Sequence, residues 1–279
     1  MHVSTRKLYQ QFKMDLSTLS TVVIDLSREV GEFIRQEALI FDRAHIEYKG
    51  LNDMVSYVDK TAEDKLVEGL RKLLPDAGFI TEETTVNKEG EQYTWIIDPL
   101  DGTTNFIHGI PTFSVSIALK QGNELVLGVV YEVNRDECFY AWKDGGAFLN
   151  GKPIRVSQAE KVENTLLATG FPYYDFEKQE PYLEVFKELM RSCHGLRRIG
   201  SAAVDLAYVA AGRFDGYFEY NLNSYDVAAG IVLVREAGGQ ICDFGGGKDM
   251  IDRREVIATN GKITKEILAI ISRHFNQGN

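Results

Sequence analysis

The order in which hydrophobic period changes along the chain most constrains its fold. Two helix-period segments come first, strand-period segments fill the middle, and helices and strands then alternate to the end. Leu16 to about Leu39 carries Val22, Val23, Leu26, Val30, Phe33 and Ile34 at helical spacing. A second helix is expected from about Lys60 to Leu74, with Ala62, Leu66, Leu70 and Leu73 on one face and Pro75-Asp76-Ala77-Gly78 as its stop. Short apolar runs follow from Ala77 to Ile80 and from Tyr93 to Ile97. Thr112 to Lys120, Glu124 to Glu132 and Glu137 to Trp142 then read as successive antiparallel strands. Gly122-Asn123 and Asn134-Arg135 fit the turns between them, and Asn150-Gly151 signals a further hairpin. Beyond it, strands are expected at 164–169, 195–199, 216–219 and 256–258. They interleave with helices at 180–192, 201–211, 225–237 and 263–273. Such a pattern demands an α/β, or layered α+β, fold in which helices and sheets alternate. One domain over 14–279 is expected, with a polar extension over 1–13 and a weak internal division near 150–165.

With 44% hydrophobic and 26% charged residues, the composition is that of a soluble enzyme. No stretch approaches the ~18 consecutive apolar residues of a membrane span. The N-terminus lacks the apolar core of a secretory signal, so a cytoplasmic location is expected. A formal net charge of -10 disfavours contact with nucleic acid or an anionic membrane through a broad patch. It equally repels any anionic substrate, unless cations are bound locally. Cys138, Cys193 and Cys242 are far apart and read as reduced thiols. Gly245-Gly246-Gly247 opens no dinucleotide-binding helix, and Ser201 lacks the elbow of a serine hydrolase.

Chemistry concentrates in Trp95-Ile96-Ile97-Asp98-Pro99-Leu100-Asp101-Gly102-Thr103-Thr104-Asn105-Phe106. An apolar strand delivers Asp98 at its C-terminal end, where ligands gather in α/β sheets. Pro99 is expected to end the strand, and a helical turn would bring Asp101 close to Asp98. Two neighbouring carboxylates repel, and a divalent cation between them removes that cost. Gly102 permits close backbone approach, and the N–H groups of Gly102, Thr103 and Thr104 would open a helix that cradles an anion. Glu82-Glu83 also follows an apolar run, although these residues suit a solvated turn as well. Asp226 falls in the first turn of an apolar helix, where it also complements the helix dipole. Ala228-Ala229-Gly230 beside it implies close packing and a rigid carboxylate.

Together these segments resemble the inositol monophosphatase family. The string from Asp98 to Phe106 is similar to its first signature, and Tyr225-Asp226-Val227-Ala228-Ala229-Gly230 with Glu236-Ala237-Gly238-Gly239 to its second. Glu82-Glu83 matches the acidic pair that precedes both. The likeness spans about residues 15–270. Tyr225 stands where the family usually shows Trp, and Thr81 where a Gly often precedes the acidic pair.

The resemblance implies a sandwich of alternating helix and sheet layers shared with fructose-bisphosphatase. It implies two or three Mg²⁺ ions held by Glu82, Asp98, the Leu100 carbonyl, Asp101 and Asp226, with Glu83 as a supporting acid. All-oxygen ligands suit Mg²⁺ rather than a soft metal. Asp101, Gly102, Thr103 and Thr104 would receive the phosphate. Gly200, Ser201, Ala202 and Glu219 would meet the polyol, although Ser201 also reads as a helix cap and Glu219 as a solvated strand-end acid. Glu82, Thr103 and Asp59 would serve catalysis, by in-line attack of a metal-activated water. Asp59 also reads as a helix cap. The implied activity is hydrolysis of a small phosphorylated polyol, myo-inositol monophosphate first, inhibited by lithium, in a homodimer. Fructose-1,6-bisphosphatase, histidinol-phosphatase and 3′(2′),5′-bisphosphate nucleotidase share that metal site. A non-catalytic regulatory or binding protein on the same fold is the alternative of another class.

Overall fold

The computed structural model describes residues 15–42, 47–48, 54–84, 86–172 and 176–275. The expected extension over 1–13 lies outside them. Helix α1 (Leu16–Ile40) is opened by Asp15, whose carboxylate accepts from the Ser17 amide at 3.1 Å. Its buried stripe of Leu19, Val23, Val30 and Ile34 is one face of a 3.6-residue period. Strands β1 (Glu47–Tyr48) and β2 (Met54–Val55) pair antiparallel. Helix α2 (Tyr57–Leu73) starts at Tyr57, not Lys60. Ser56 is its N-cap and Asp59 its third residue. Each side chain serves the other's backbone in a capping box, so Asp59 lies inside the helix it was expected to precede.

A seven-stranded sheet follows, in the order β3 (Gly78–Thr81), β4 (Tyr93–Asp101), β5 (Ser114–Gln121), β6 (Glu124–Glu132), β7 (Glu137–Trp142), β8 (Gly146–Leu149) and β9 (Lys152–Ile154). β3 and β4 are parallel, and every later pair is antiparallel. Short helix α3 (Thr103–His108) leaves β4 directly. The remaining elements in chain order are β10 (Leu166–Thr169), α4 (Gln179–Ser192), β11 (Gly195–Arg197), α5 (Ala202–Ala210), β12 (Gly216–Tyr220), α6 (Ser224–Glu236), β13 (Gln240–Cys242), α7 (Met250–Arg253), β14 (Glu255–Thr259) and α8 (Thr264–Phe275). Their five strands form a second sheet ordered β11-β10-β12-β14-β13. β8, β9, β13 and α7 are too short to show a period, and only the Asn150-Gly151 turn between β8 and β9 announces any of them.

The layers follow from which faces are apolar. Leu19, Val23, Ile34, Ala62, Leu66 and Leu70 of α1 and α2 pack on one face of the first sheet, against Trp95, Ile97, Val115, Ile117 and Val129. Its other face, with Ile96, Ala118 and Val130, meets α5 and α6. Those two helices fill the space between the sheets. Helices α4 and α8 cover the outer face of the second sheet through Tyr182, Val185, Leu189, Ile267 and Ile271. With both faces covered, β4 is buried almost throughout, because neither side of it faces water.

The end of β4 corrects the expected strand stop and helical turn. The chain stays extended through Pro99 to Asp101. Asp98 pairs with Ser116 and Asp101 with Ser114, so one extra residue is inserted and the register shifts. In a regular strand residues 98 and 101 point to opposite faces. The bulge re-aims the chain so that both carboxylates meet one cavity.

Candidate active site

That cavity lies where the C-terminal ends of β3, β4, β10, β11 and β12 converge with the N-terminal ends of α3, α5 and α6. Its wall contains Glu82, Asp98, Leu100, Asp101, Gly102, Thr103 and Thr104 from the first sheet. From the second sheet and the central helices come Gly170, Arg198, Gly200, Ser201, Ala202, Asp205, Glu219 and Asp226. The dipoles of α5 and α6 point their positive ends at these acids.

Each carboxylate is held by its local fold. Asp98 Oδ1 accepts from the Leu100 amide at 3.0 Å, which closes the bulge. Asp101 Oδ2 accepts from Ser201 Oγ at 2.6 Å and from the Ala203 amide at 2.7 Å, so the first turn of α5 grips it. Asp226 Oδ2 accepts from the Asn223 amide at 2.6 Å in the capping box of α6. The cap read from the sequence for Ser201 is therefore real, Asp226 closes a capping box from the first turn of its helix, and both residues also line the cavity. Gly102 opens α3 at φ +99°, a conformation a β-carbon disfavours, and a β-carbon there would lie 3.1 Å from the Thr112 carbonyl oxygen. Asn105 ties the two halves together, donating to the carbonyls of Thr112 and Ile199 at 2.8 Å each.

Behind the cavity, Thr103 Oγ1 donates to Asp59 Oδ1 at 2.9 Å and has the Leu100 carbonyl as an alternative acceptor at 3.0 Å. Asp59 Oδ2 accepts from the Ser56 amide at 2.9 Å and from Ser56 Oγ at 2.6 Å. One helical turn on, Glu63 accepts from Thr81 Oγ1 at 2.8 Å and from the Glu83 amide at 2.7 Å. Glu83 is thus held by its backbone and lies outside the cavity wall. Glu219 is buried within β12 rather than solvated, with Tyr217 donating to it.

The electrostatics are those of crowded acids. Enclosure by protein, followed by the Asp226 charge, pushes the Glu82 pKa well up. Burial and then Glu82 do the same to Asp98. Burial raises Asp101 to about 6 and Glu219 to about 8, and burial with the Asp101 charge raises Asp226 to about 7. Such shifts mean that the ionised forms lack enough compensating charge. Among the described residues, Arg198 is the only basic residue in the wall.

A divalent cation fits this set. Glu82 Oε2 is buried with no hydrogen-bond partner, and among the described residues the wall offers carboxylates and a carbonyl, the donors of a hard ion, but no Cys or His. Among the described residues no three His, Cys, Asp or Glu side chains are drawn together tightly enough to mark a metal position. The Glu82 charge instead bears directly on Asp98, so charge rather than a closed cage implies the ion.

Sequence reasoning does not reach Glu63, Gly170, Arg198 or Asp205. Two of them leave a signal: Glu63 interrupts the apolar stripe of α2, and Asp205 is a lone charge in the apolar run of α5.

Known proteins resemble this chain along nearly its whole length. The chain is 40% identical to the inositol-1-monophosphatase of Mesorhizobium japonicum over 261 residues, covering 93% of this chain and 98% of that protein. It is also 40% identical to the Nus factor SuhB of Pseudomonas aeruginosa, covering 93% and 97%. Among solved structures, the extragenic suppressor protein suhB of Bartonella henselae superposes with a TM-score of 0.86 at 39% identity, covering 94% of this chain and 100% of that one. An IMPase from Thermotoga maritima gives 0.82 at 35%, covering 91% and 96%. The family model for inositol monophosphatases matches residues 15–276, and the chain belongs to the inositol monophosphatase family.

Proposed function

We propose that this chain hydrolyses a small phosphate monoester with two or three Mg²⁺ ions, and that myo-inositol monophosphate is its leading substrate. The convergence of Glu82, Asp98, Asp101 and Asp226, from three separate segments, on one cavity with Gly102, Thr103, Thr104 and Glu219 carries the reading. Mg²⁺ would neutralise these acids, draw a phosphate dianion into an acidic protein and lower the pKa of the attacking water.

The chain's own residues do the rest. The four carboxylates and the Leu100 carbonyl would hold the ions, with Glu83 supporting Glu82 from the same loop. The N–H groups of Gly102, Thr103 and Thr104 receive phosphate oxygens. The Thr103 hydroxyl accepts a proton from water and passes its own to Asp59, the base behind it. Gly200, Ser201 and Ala202 wall the alcohol side, and Glu219 accepts hydrogen bonds from substrate hydroxyls.

Relatives of equal identity carry two names, inositol-1-monophosphatase and Nus factor SuhB. Similarity alone therefore does not separate an enzyme from a regulatory protein on this fold. The acids favour the enzyme, since a scaffold for a partner gains nothing from carboxylates that repel one another in an enclosed space.

The test is phosphate release from myo-inositol 1-phosphate, fructose 1,6-bisphosphate, histidinol phosphate and adenosine 3′,5′-bisphosphate, each with Mg²⁺ and with or without Li⁺. Fastest release from the inositol ester, with inhibition by Li⁺ uncompetitive in substrate, supports the proposal. Faster release from another ester names a different substrate, and no release from any of them refutes the enzyme.

A further inference from the structure

The helix dipole favours an acid near the start of α5, but no hydrogen bond or packing contact within the helix requires one at Asp205. It sits in the first turns of α5, whose other residues are Ala202, Ala203, Val204, Leu206, Ala207, Tyr208, Val209 and Ala210. It is only 2% exposed, and its Oδ1 is buried without a hydrogen-bond partner. Capping does not account for it. Ser201 already accepts from the Val204 amide, Asp101 already accepts from the Ala203 amide, and the Asp205 amide donates to the Ser201 carbonyl. Packing does not account for it either, because an apolar residue would suit the rest of the helix and avoid burying an unpaired carboxylate.

Its position supplies the reason. Asp205 lines the cavity with Glu219 and Arg198, and the charges of Glu219 and Asp101 both act on it. It therefore shares one cavity with the acids that would hold the ions and the acid that would meet the polyol. Arg198 in the same wall opposes the charges of Asp101, Asp205 and Glu219. Asp205 and Glu219 thus offer two acceptor carboxylates to one cavity.

We propose that Asp205 is a specificity-determining residue that accepts a hydrogen bond from a second substrate hydroxyl, beyond the one held by Glu219. The proposal rests on the hydrolase reading above and deepens it. A two-acceptor subsite selects phosphate esters of polyols with several free hydroxyls over esters whose alcohol carries none. A site built to receive a donor discriminates strongly against analogues lacking it, since the buried acceptor is then left unpaired.

The experiment compares wild type with Asp205→Ala and Asp205→Asn on myo-inositol 1-phosphate and on phenyl phosphate at saturating Mg²⁺. The quantity read is the ratio of kcat/KM for the two esters. For Asp205→Ala the ratio should fall about tenfold or more, mainly through KM for the inositol ester. Asp205→Asn keeps an acceptor oxygen and should recover most of the ratio. Parallel loss on both esters would mean a role in the metal set or the fold, and would overturn the proposal. A ratio unchanged in Asp205→Ala would overturn it too. So would Asp205→Asn falling as far as Asp205→Ala, because charge rather than hydrogen-bond acceptance would then be the need. Binding of free myo-inositol, followed by saturation-transfer NMR in wild type and Asp205→Ala, separates this idea from the hydrolase reading. If wild type releases no phosphate but binds myo-inositol through Asp205, the subsite stands and the hydrolase reading falls. If wild type binds no myo-inositol and shows no preference for its phosphate, the subsite falls.

Discussion

Asp59→Asn is the sharpest probe of the proton path, because the structure gives Asp59 two jobs on two different oxygens. Oδ2 accepts from the amide and hydroxyl of Ser56, and Oδ1 accepts from the hydroxyl of Thr103. Asparagine has one acceptor oxygen. Facing Ser56, it preserves the capping box and turns its NH₂ toward Thr103. The Thr103 hydroxyl then accepts from that NH₂ and turns its proton to the Leu100 carbonyl, 3.0 Å away. It can no longer pass a proton to a carboxylate. The fold should tolerate the change. A hydrogen bond to a charged group is worth about 1.5–3 kcal/mol, but the charge it served is costly to bury, since burial raises the Asp59 pKa. Those effects oppose, so Tm should move by only a few degrees. Catalysis should not tolerate it. Loss of a positioned base costs about 10²-fold or more in kcat, or roughly 2.7 kcal/mol of barrier. The assay is kcat at saturating substrate and Mg²⁺ for Asp59→Asn, Thr103→Ala and the double variant, with the Mg²⁺ half-saturation point and Tm alongside. Acting as a unit, the pair gives a double variant no slower than the slower single. Losses that multiply, or an Asp59→Asn enzyme within about threefold of wild type in kcat, would refute the dyad.

Three further outcomes are expected. Asp98→Asn removes charge from the centre of the acid set and should lower turnover more than about 10²-fold, and near-wild-type phosphate release at limiting Mg²⁺ would count against the metal site. In Gly170→Ala the new β-carbon would lie 1.9 Å from Glu219 Oε2, so Glu219 must move and KM for a polyol phosphate should rise about tenfold or more. An unchanged KM would show that Glu219 does not meet the substrate. In metal-free protein the raised pKa values of Asp101, Asp226 and Glu219, about 6, 7 and 8, mean that the folded state holds protons the unfolded chain has already lost. That stability is fully present below about pH 4 and is lost as pH rises toward about 8. The Tm gain on adding Mg²⁺ should therefore grow from about pH 5 to about pH 8, and a gain that is flat with pH would refute the electrostatic account.

The sequence yields most of the fold because period is strong wherever an element is long. Helix α1 and strands β5 to β7 fall close to where their apolar spacing puts them. Boundaries err where one residue has two duties. Asp59 reads as a cap before a helix, yet it is the third residue of a capping box with Ser56. Pro99 reads as a strand stop, yet it sits in a bulge, because a missing N–H is tolerated where the ladder is already broken. The acids divide in the same way. Asp98 and Asp101 are legible from the apolar strand that carries them. Glu82 and Glu219 look like solvated loop or strand-end acids, because the segments that enclose them come from elsewhere in the chain. Glu63 was recoverable: Leu66, Val67 and Leu70 lie three, four and seven residues on, all buried, so a glutamate on that stripe had to be paired.

That glutamate also explains how two separate loops keep one register. Asp59 and Glu63 lie one turn apart on α2, a helix buried by Ala62, Leu66 and Leu70 against the first sheet. Asp59 holds Thr103, in the turn after β4. Glu63 holds Thr81 and the Glu83 amide, which flank Glu82 after β3. A rigid helix thus fixes the spacing between the loop that presents Glu82 and the turn that presents Thr103. Where the inositol monophosphatase pattern often has Gly before the acidic pair, this chain has Thr81. Its hydroxyl adds a side-chain bond to Glu63 where glycine has no side chain to make one, and it lies within 3.2 Å of the Val86 carbonyl as well. The departure from the family pattern is therefore a local reinforcement. It lies outside the cavity wall and strengthens the hold on the loop that carries one of the four acids.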